Sequence, residues 1–162
     1  MTKPIVELIN DLAISLSEKQ LKICTAESCT GGLIAKSFTD LAGSSAWFER
    51  GFVTYSNESK IEMLGVSESI IEHYGAVSEP VATAMAIGAL KHSHADYSIA
   101  VTGVAGPGGG SDEKPVGTVW IGIANQSETR TQKFLFDGDR EIIRLLTMRT
   151  VIKQLLLILK TK

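Results

Sequence analysis

The sequence predicts a single α/β domain: a three-layer sandwich in which helices flank a mixed β-sheet. Three observations predict it. Strand-like and helix-like segments interleave from end to end of 162 residues, a length suited to one domain. No composition break, polar linker or internal repeat divides the chain, so residues 1–162 read as one unit. Two strand-like runs stand side by side late in the chain, which a purely parallel sheet does not accommodate.

The elements follow in order. Ile5, Leu8, Ile9, Leu12 and Leu16 recur at helical spacing and predict an amphipathic helix over about 4–19. A short strand over Lys22–Ala26 comes next, then Glu27–Gly32 and a helical stretch through Leu41. Gly43-Ser44-Ser45 is a turn, and the β-branched and aromatic run Phe48–Tyr55 is a strand. Asn57 is the expected N-cap of a short helix that stops before Gly65. Ser67 caps the next, which stops at Gly75, and Ser78 opens an Ala-rich helix that tolerates Pro80 in its first turn. Tyr97–Val101 is a strand that runs into a glycine cluster. Thr118–Ala124 and Thr129–Phe136 form a hairpin across Asn125–Glu128, and Asp139–Lys160 is a long closing helix.

Composition narrows the function classes. Apolar residues make up 44% and charged residues 21%, which excludes a disordered chain. A net charge of -2 argues against a duplex nucleic acid partner. The longest apolar runs, such as Leu155–Leu159, are too short for a bilayer, and no secretion signal opens the chain. Two cysteines cannot build a disulfide framework, so a reduced, cytoplasmic setting is expected. The unusual number is fifteen glycines, five of them between Gly103 and Gly110.

Four stretches carry side chains suited to chemistry. Glu27–Gly32 puts Ser28 where a strand ends and Thr30-Gly31-Gly32 leads into a helix. At that edge α/β sheets collect ligand sites, and free amides with the helix dipole favour an oxyanion or phosphate. The other reading of Ser28 is a helix N-cap, with the glycines serving only the turn. A serine nucleophile needs a base, and none of His73, His92 and His94 adjoins a strand-end loop. Lys60 is the stronger base, its amine drawn toward neutrality by burial or by a helix N-terminus; a solvated surface lysine is the alternative. Thr102–Gly110 follows a strand but matches neither G-x-G-x-x-G nor a Walker A loop. Gly103 and Gly106 face a ligand or merely shape the loop, and Gly108–Asp112 read as a flexible rim. Arg140 sits in the first turn of the last helix, where the dipole disfavours a cation. It either grips a phosphate or carboxylate or pairs with Asp137 or Asp139. Cys24 and Cys29 fit no zinc spacing, so no metal is expected.

Each stretch alone is modest, but the set is specific. Ala26-Glu27-Ser28-Cys29-Thr30-Gly31-Gly32, Gly43-Ser44-Ser45, Val53-Thr54-Tyr55-Ser56-Asn57, Gly75-Ala76-Val77-Ser78-Glu79, Thr102-Gly103-Val104-Ala105-Gly106-Pro107 and Lys114-Pro115-Val116-Gly117-Thr118-Val119 occur in that order. Over about residues 5–158 this resembles the C-terminal domain of the competence/damage-inducible protein CinA. The resemblance implies an amidase. Stand-alone bacterial members hydrolyse nicotinamide mononucleotide to nicotinate mononucleotide and ammonia, which returns the pyridine ring to NAD. It implies Ser28 as nucleophile, Lys60 as general base and Tyr55 as a hydroxyl that positions them or relays protons between them. It also implies substrate contacts at Thr30, Gly31, Gly32, Ser45, Thr102, Gly103, Gly106 and Arg140, with no metal and no cofactor. The implied partners are a small nucleotide substrate and a second copy in a homodimer. CinA relatives often carry an N-terminal pyrophosphatase-like domain; this chain starts at the amidase helix, so that activity is expected to be absent. The rival reading is a module that binds a nucleotide or a protein and turns nothing over. The joint presence of Ser28, Tyr55 and Lys60 favours the enzyme.

Overall fold

The computed structural model describes residues 2–162. Six helices and five strands alternate as expected: α1 Ile5–Glu18, β1 Ile23–Glu27, α2 Leu33–Thr39, β2 Phe48–Val53, α3 Asn57–Leu64, α4 Glu68–Tyr74, α5 Glu79–Lys91, β3 Tyr97–Gly103, β4 Thr118–Ala124, β5 Thr129–Leu135 and α6 Arg140–Lys160, with a 3-10 turn at Ser44–Ala46. The sheet order is β2-β1-β3-β4-β5. β1 runs parallel to β2 and β3, and β4 and β5 pair antiparallel, so the sheet is mixed.

Element ends differ from expectation where pairing decides them. β1 extends to Glu27 because that residue still pairs Val53 and Val101, and β3 extends to Gly103, which pairs Val119. β2 stops at Val53, where β1 runs out. The N-cap of α3 is Ser56, not Asn57: Ser56 is extended (φ -81°, ψ 160°) and its hydroxyl accepts from the Ser59 amide, so Asn57 becomes the first helical residue. The β4–β5 hairpin turns as expected, with Asn125 Oδ1 accepting from the Ser127 and Glu128 amides.

The two faces of the sheet are built differently. Tyr97, Ile99 and Val101 of β3 and Val119, Ile121 and Ile123 of β4 face a thick core made with α1, α2 and α6. Cys24, Ala26, Ala100 and Ala124 face α3, α4 and α5. This second face is small, which lets the Ala-rich α5 lie almost on the backbone. A Cβ at Gly122 would stand 2.9 Å from the Ala82 carbonyl oxygen, and Ser98 donates to the Ala86 carbonyl at 2.6 Å. Among the described residues no helix is long and apolar enough to cross a membrane.

The chain leaves β1 through α2 to reach β2, then returns through α3–α5 to β3 on the other side of β1. The crevice between the carboxyl ends of β1 and β3 is therefore a topological switch point, where open α/β sheets place ligands.

One close approach sets the position of α3. Gly88 of α5 has no room for a Cβ, which would collide with the Leu64 carbonyl at the end of α3. Gly88→Ala improves helix propensity by about 1 kcal/mol. The collision forces α3 and α5 apart, and we expect a net loss of about 2 kcal/mol in unfolding free energy by urea titration.

Candidate active site

Three strand-end loops meet at the switch point. β1 continues directly into Ser28, whose amide donates to the Val101 carbonyl at 3.0 Å and so prolongs the β1–β3 ladder by one bond. The β2–α3 connection brings Tyr55 and, one turn into α3, Lys60. The end of β3 brings Thr102 and Gly103, and the loop after it brings Val104, Ala105, Gly106, Gly108 and Gly109. Together they line a cleft of about 300 Å³ whose wall also includes Cys29, Val77 and Arg140.

Lys60 is 1% exposed. Its Nζ stands 3.0 Å from Ser28 Oγ, and it donates to the carbonyl oxygens of Thr54 at 2.8 Å and Tyr55 at 3.2 Å. Burial penalises the ammonium form and lowers the Lys60 pKa to about 8. A neutral amine has two N–H donors and one lone pair. The amine faces three main-chain carbonyls, those of Thr54, Tyr55 and Ser56 (the last at 3.4 Å), which take its N–H bonds, and in the neutral form its lone pair is left for the Ser28 hydroxyl proton. The alternative of a solvated surface lysine does not hold.

Ser28 is 8% exposed and opens onto the cleft. It is not a helix cap: the residue at the N-cap of α2 is Gly32, in the left-handed region at φ +102°. Between them, Gly31 donates to the Ser28 carbonyl and Leu33 donates to the Thr30 carbonyl, each at 3.0 Å. Two overlapping turns thus connect β1 to α2. Thr30, Gly31 and Gly32 build these turns rather than line the cleft. Cys29, the residue after Ser28, does line it. Its thiol is no competing nucleophile, since burial pushes its pKa up to about 11.

Glu27 had no assigned role in the sequence. It is 1% exposed, and its two carboxylate oxygens accept from the amides of Ile34 at 2.9 Å and Ala35 at 3.0 Å. It caps α2 from the end of β1 and bridges the residues that carry Ser28. The spacing of seven and eight residues fits no local capping pattern, so only the fold reveals it.

Arg140 does not pair with Asp137 or Asp139. Asp139 instead caps α6 by accepting from the Ile142 amide. The Arg140 guanidinium reaches over the cleft, donating to the Gly106 carbonyl at 2.8 Å and the Tyr55 hydroxyl at 3.1 Å. The Tyr55 ring is 58% exposed, and its hydroxyl meets Arg140, while Ser28 and Lys60 touch each other directly. Thr102 donates to the Ala76 carbonyl at 2.9 Å and tethers the loop before α5 to the cleft. Gly103 lies too close to the Thr118 carbonyl, 2.8 Å from where its Cβ would be, to be any other residue. Gly108 and Gly109, expected as a rim, line the cleft.

Ser45 is not brought to the site. It is exposed in the 3-10 turn ahead of β2, and β2 starts beside Ile23 at the opposite end of β1. A five-residue parallel strand, roughly 16 Å, separates that end from Ser28.

A family model described as the CinA C-terminal domain matches residues 6–159. The chain is 57% identical over 144 residues to the nicotinamide-nucleotide amidohydrolase PncC of Enterobacter agglomerans, with 88% of each chain covered. It is 54% identical over 141 residues to the PncC of Escherichia coli strain K12, with 86% of each covered. Among solved structures, the competence/damage inducible protein CihA from Agrobacterium tumefaciens superposes with a TM-score of 0.93 at 44% identity over 99% of both chains.

The Glu27 cap predicts a stability effect distinct from catalysis. Glu27→Gln turns one oxygen into an NH₂ group that faces a helix amide. It is expected to lower unfolding free energy by about 1–3 kcal/mol in urea denaturation.

Proposed function

The chain belongs to the CinA C-terminal domain family, and from that premise we propose that it is an amidase that converts nicotinamide mononucleotide to nicotinate mononucleotide and ammonia by serine–lysine catalysis. The observation that carries this reading is the 3.0 Å approach of a fully buried lysine amine to a serine hydroxyl at the base of the cleft. The names of the two PncC relatives supply the substrate.

The steps follow from the groups present. Neutral Lys60 takes the Ser28 proton, and Oγ attacks the carboxamide carbon. Backbone amides hold the oxyanion. The C–N bond breaks as Lys60 returns the proton to the leaving nitrogen, and ammonia departs. Water then gives a proton to Lys60 and attacks the acyl-enzyme. The Ser28–carbonyl bond breaks, Ser28 recovers its proton, and the carboxylate product leaves. Arg140, exposed at the rim, is the cation suited to the substrate phosphate, and its bond to Tyr55 sets both at the mouth of the cleft. In this role Tyr55 orders the rim and is not needed as a relay between partners already in contact. The scheme calls on no metal or cofactor. The reaction belongs to pyridine nucleotide recycling in the cytoplasm. A homodimer is expected on the family resemblance, and sedimentation velocity tests it.

Ser28→Ala and Lys60→Ala are each expected to lower ammonia release by at least about 10³-fold with the fold retained. Near wild-type turnover in Ser28→Ala would remove the nucleophile assignment. The base must be neutral in the free enzyme, and its pKa is about 8. Therefore kcat/KM should rise about tenfold per pH unit below that value and level off above it. At pH 7 only about a tenth of the free enzyme is competent. Arg140→Ala should raise KM for the mononucleotide by about tenfold or more and leave KM for the phosphate-free riboside unchanged. Equal losses on both substrates would exclude a phosphate contact.

A further inference from the structure

One charged side chain near the nucleophile takes no part in the scheme above. Arg144 lies one turn beyond Arg140 on α6, half-buried, and its Nη2 donates to the Thr30 carbonyl at 2.8 Å. That contact joins residues 114 positions apart in the chain. The Arg144 Nε is buried and has no hydrogen-bond partner among the described residues. A guanidinium placed for stability alone would be expected to use its donors better.

The peptide plane that Arg144 grips is the one that closes the nucleophile turn. Its carbonyl, from Thr30, accepts from both Arg144 and the Leu33 amide. Its N–H, from Gly31, donates to the Ser28 carbonyl. Three bonds thus lock the Thr30–Gly31 plane. Locking it sets the preceding planes of the same turn, including the one that carries the Cys29 N–H. That N–H belongs to the residue after the nucleophile, Cys29 lines the cleft, and the amide donates to no main-chain carbonyl among the described residues, meeting only its own thiol. It has the location an oxyanion donor needs.

We propose that Arg144 is a positioning residue for the acyl-transfer step: through the Thr30 carbonyl it holds the turn that presents the Cys29 amide to the developing oxyanion. This rests on Ser28 being the nucleophile. The effect belongs to the transition state and not to substrate binding. A misplaced donor slows chemistry without loosening the ground-state complex.

The test is steady-state ammonia release from nicotinamide mononucleotide by Arg144→Ala and Arg144→Lys, with product affinity measured by calorimetry. Arg144→Ala is expected to lose about 100-fold in kcat, with KM and product affinity within about threefold of wild type. Arg144→Lys, whose ammonium can still reach one carbonyl, is expected to recover about tenfold of that loss. If kcat in Arg144→Ala stays within threefold, or if KM rises while kcat holds, the proposal is overturned; the second result would make Arg144 a substrate contact. Should Arg144→Ala not fold, Arg144→Lys carries the test: about a tenfold fall in kcat at constant KM supports the proposal, and an unchanged kcat or a raised KM overturns it. Ser28→Ala and Lys60→Ala, assayed alongside, separate the two levels. Active dyad variants remove the serine–lysine reading itself; inactive ones beside an unimpaired Arg144→Ala remove only the role of Arg144.

Discussion

A lysine amine held out of water is the constraint on which the rest of the site depends. An ammonium deprived of solvent is costly, so the Lys60 amine sits far closer to neutrality than a surface lysine, at about 8. The groups that replace water around it are the main-chain carbonyls at the end of β2 and one serine hydroxyl. For those carbonyls to converge, the β2–α3 connection has to curl around the amine. Ser56 fixes that curl as the cap of α3, whose far end is closed by the Val66 amide donating to the Lys60 carbonyl. The position of α3 depends in turn on its contact with α5 at Gly88. A helix–helix approach on the small-residue face of the sheet thereby bears on the distance between Lys60 and Ser28.

Ser28 is held by a different device. It continues a strand, and a strand is stiff, but the turn after it passes through two glycines at positive φ, Gly31 and Gly32. Long-range charged groups supply the stiffness. The Glu27 carboxylate caps α2, and the Arg144 guanidinium holds the Thr30 carbonyl. Charge-assisted hydrogen bonds to main-chain groups are stronger and better oriented than neutral ones, which suits a turn whose amides have to point in defined directions. Arg140 serves the opposite wall in the same way, joining the Gly106 carbonyl to Tyr55. The cleft is thus a set of loops braced by side chains from β1 and α6.

Much of this was legible from local pattern. The apolar spacing of α1 and the Asn125 turn depend on residues within a few positions of one another, and each formed as expected. The strand-end placement of Ser28 and the candidacy of Lys60 also followed from local sequence. What was not legible has one physical origin. Ser56 and Asn57 are both competent caps, and the choice between them follows from where β2 stops pairing with β1. Ser45 belongs to one of the six ordered sequence blocks, yet parallel pairing of β2 with β1 puts it at the far end of the sheet. The glycines of Gly31–Gly32 and Gly108–Gly109 exchanged roles: the first pair shapes a turn beneath the cleft, and the second lines it.

By itself the sequence determined the succession of elements, the single α/β layering and the residue types able to do amide chemistry, because periodicity, caps and turn residues act over short distances. Only the tertiary structure decided that Lys60 is buried against Ser28, that Arg140 joins Tyr55 rather than a neighbouring aspartate, and that Glu27 and Arg144 brace the turn after Ser28. These depend on contacts across 7 to 114 positions of chain. Burial is a property of the packed molecule: the same lysine on the same helix is an ordinary solvated cation until the strands and helices close around it.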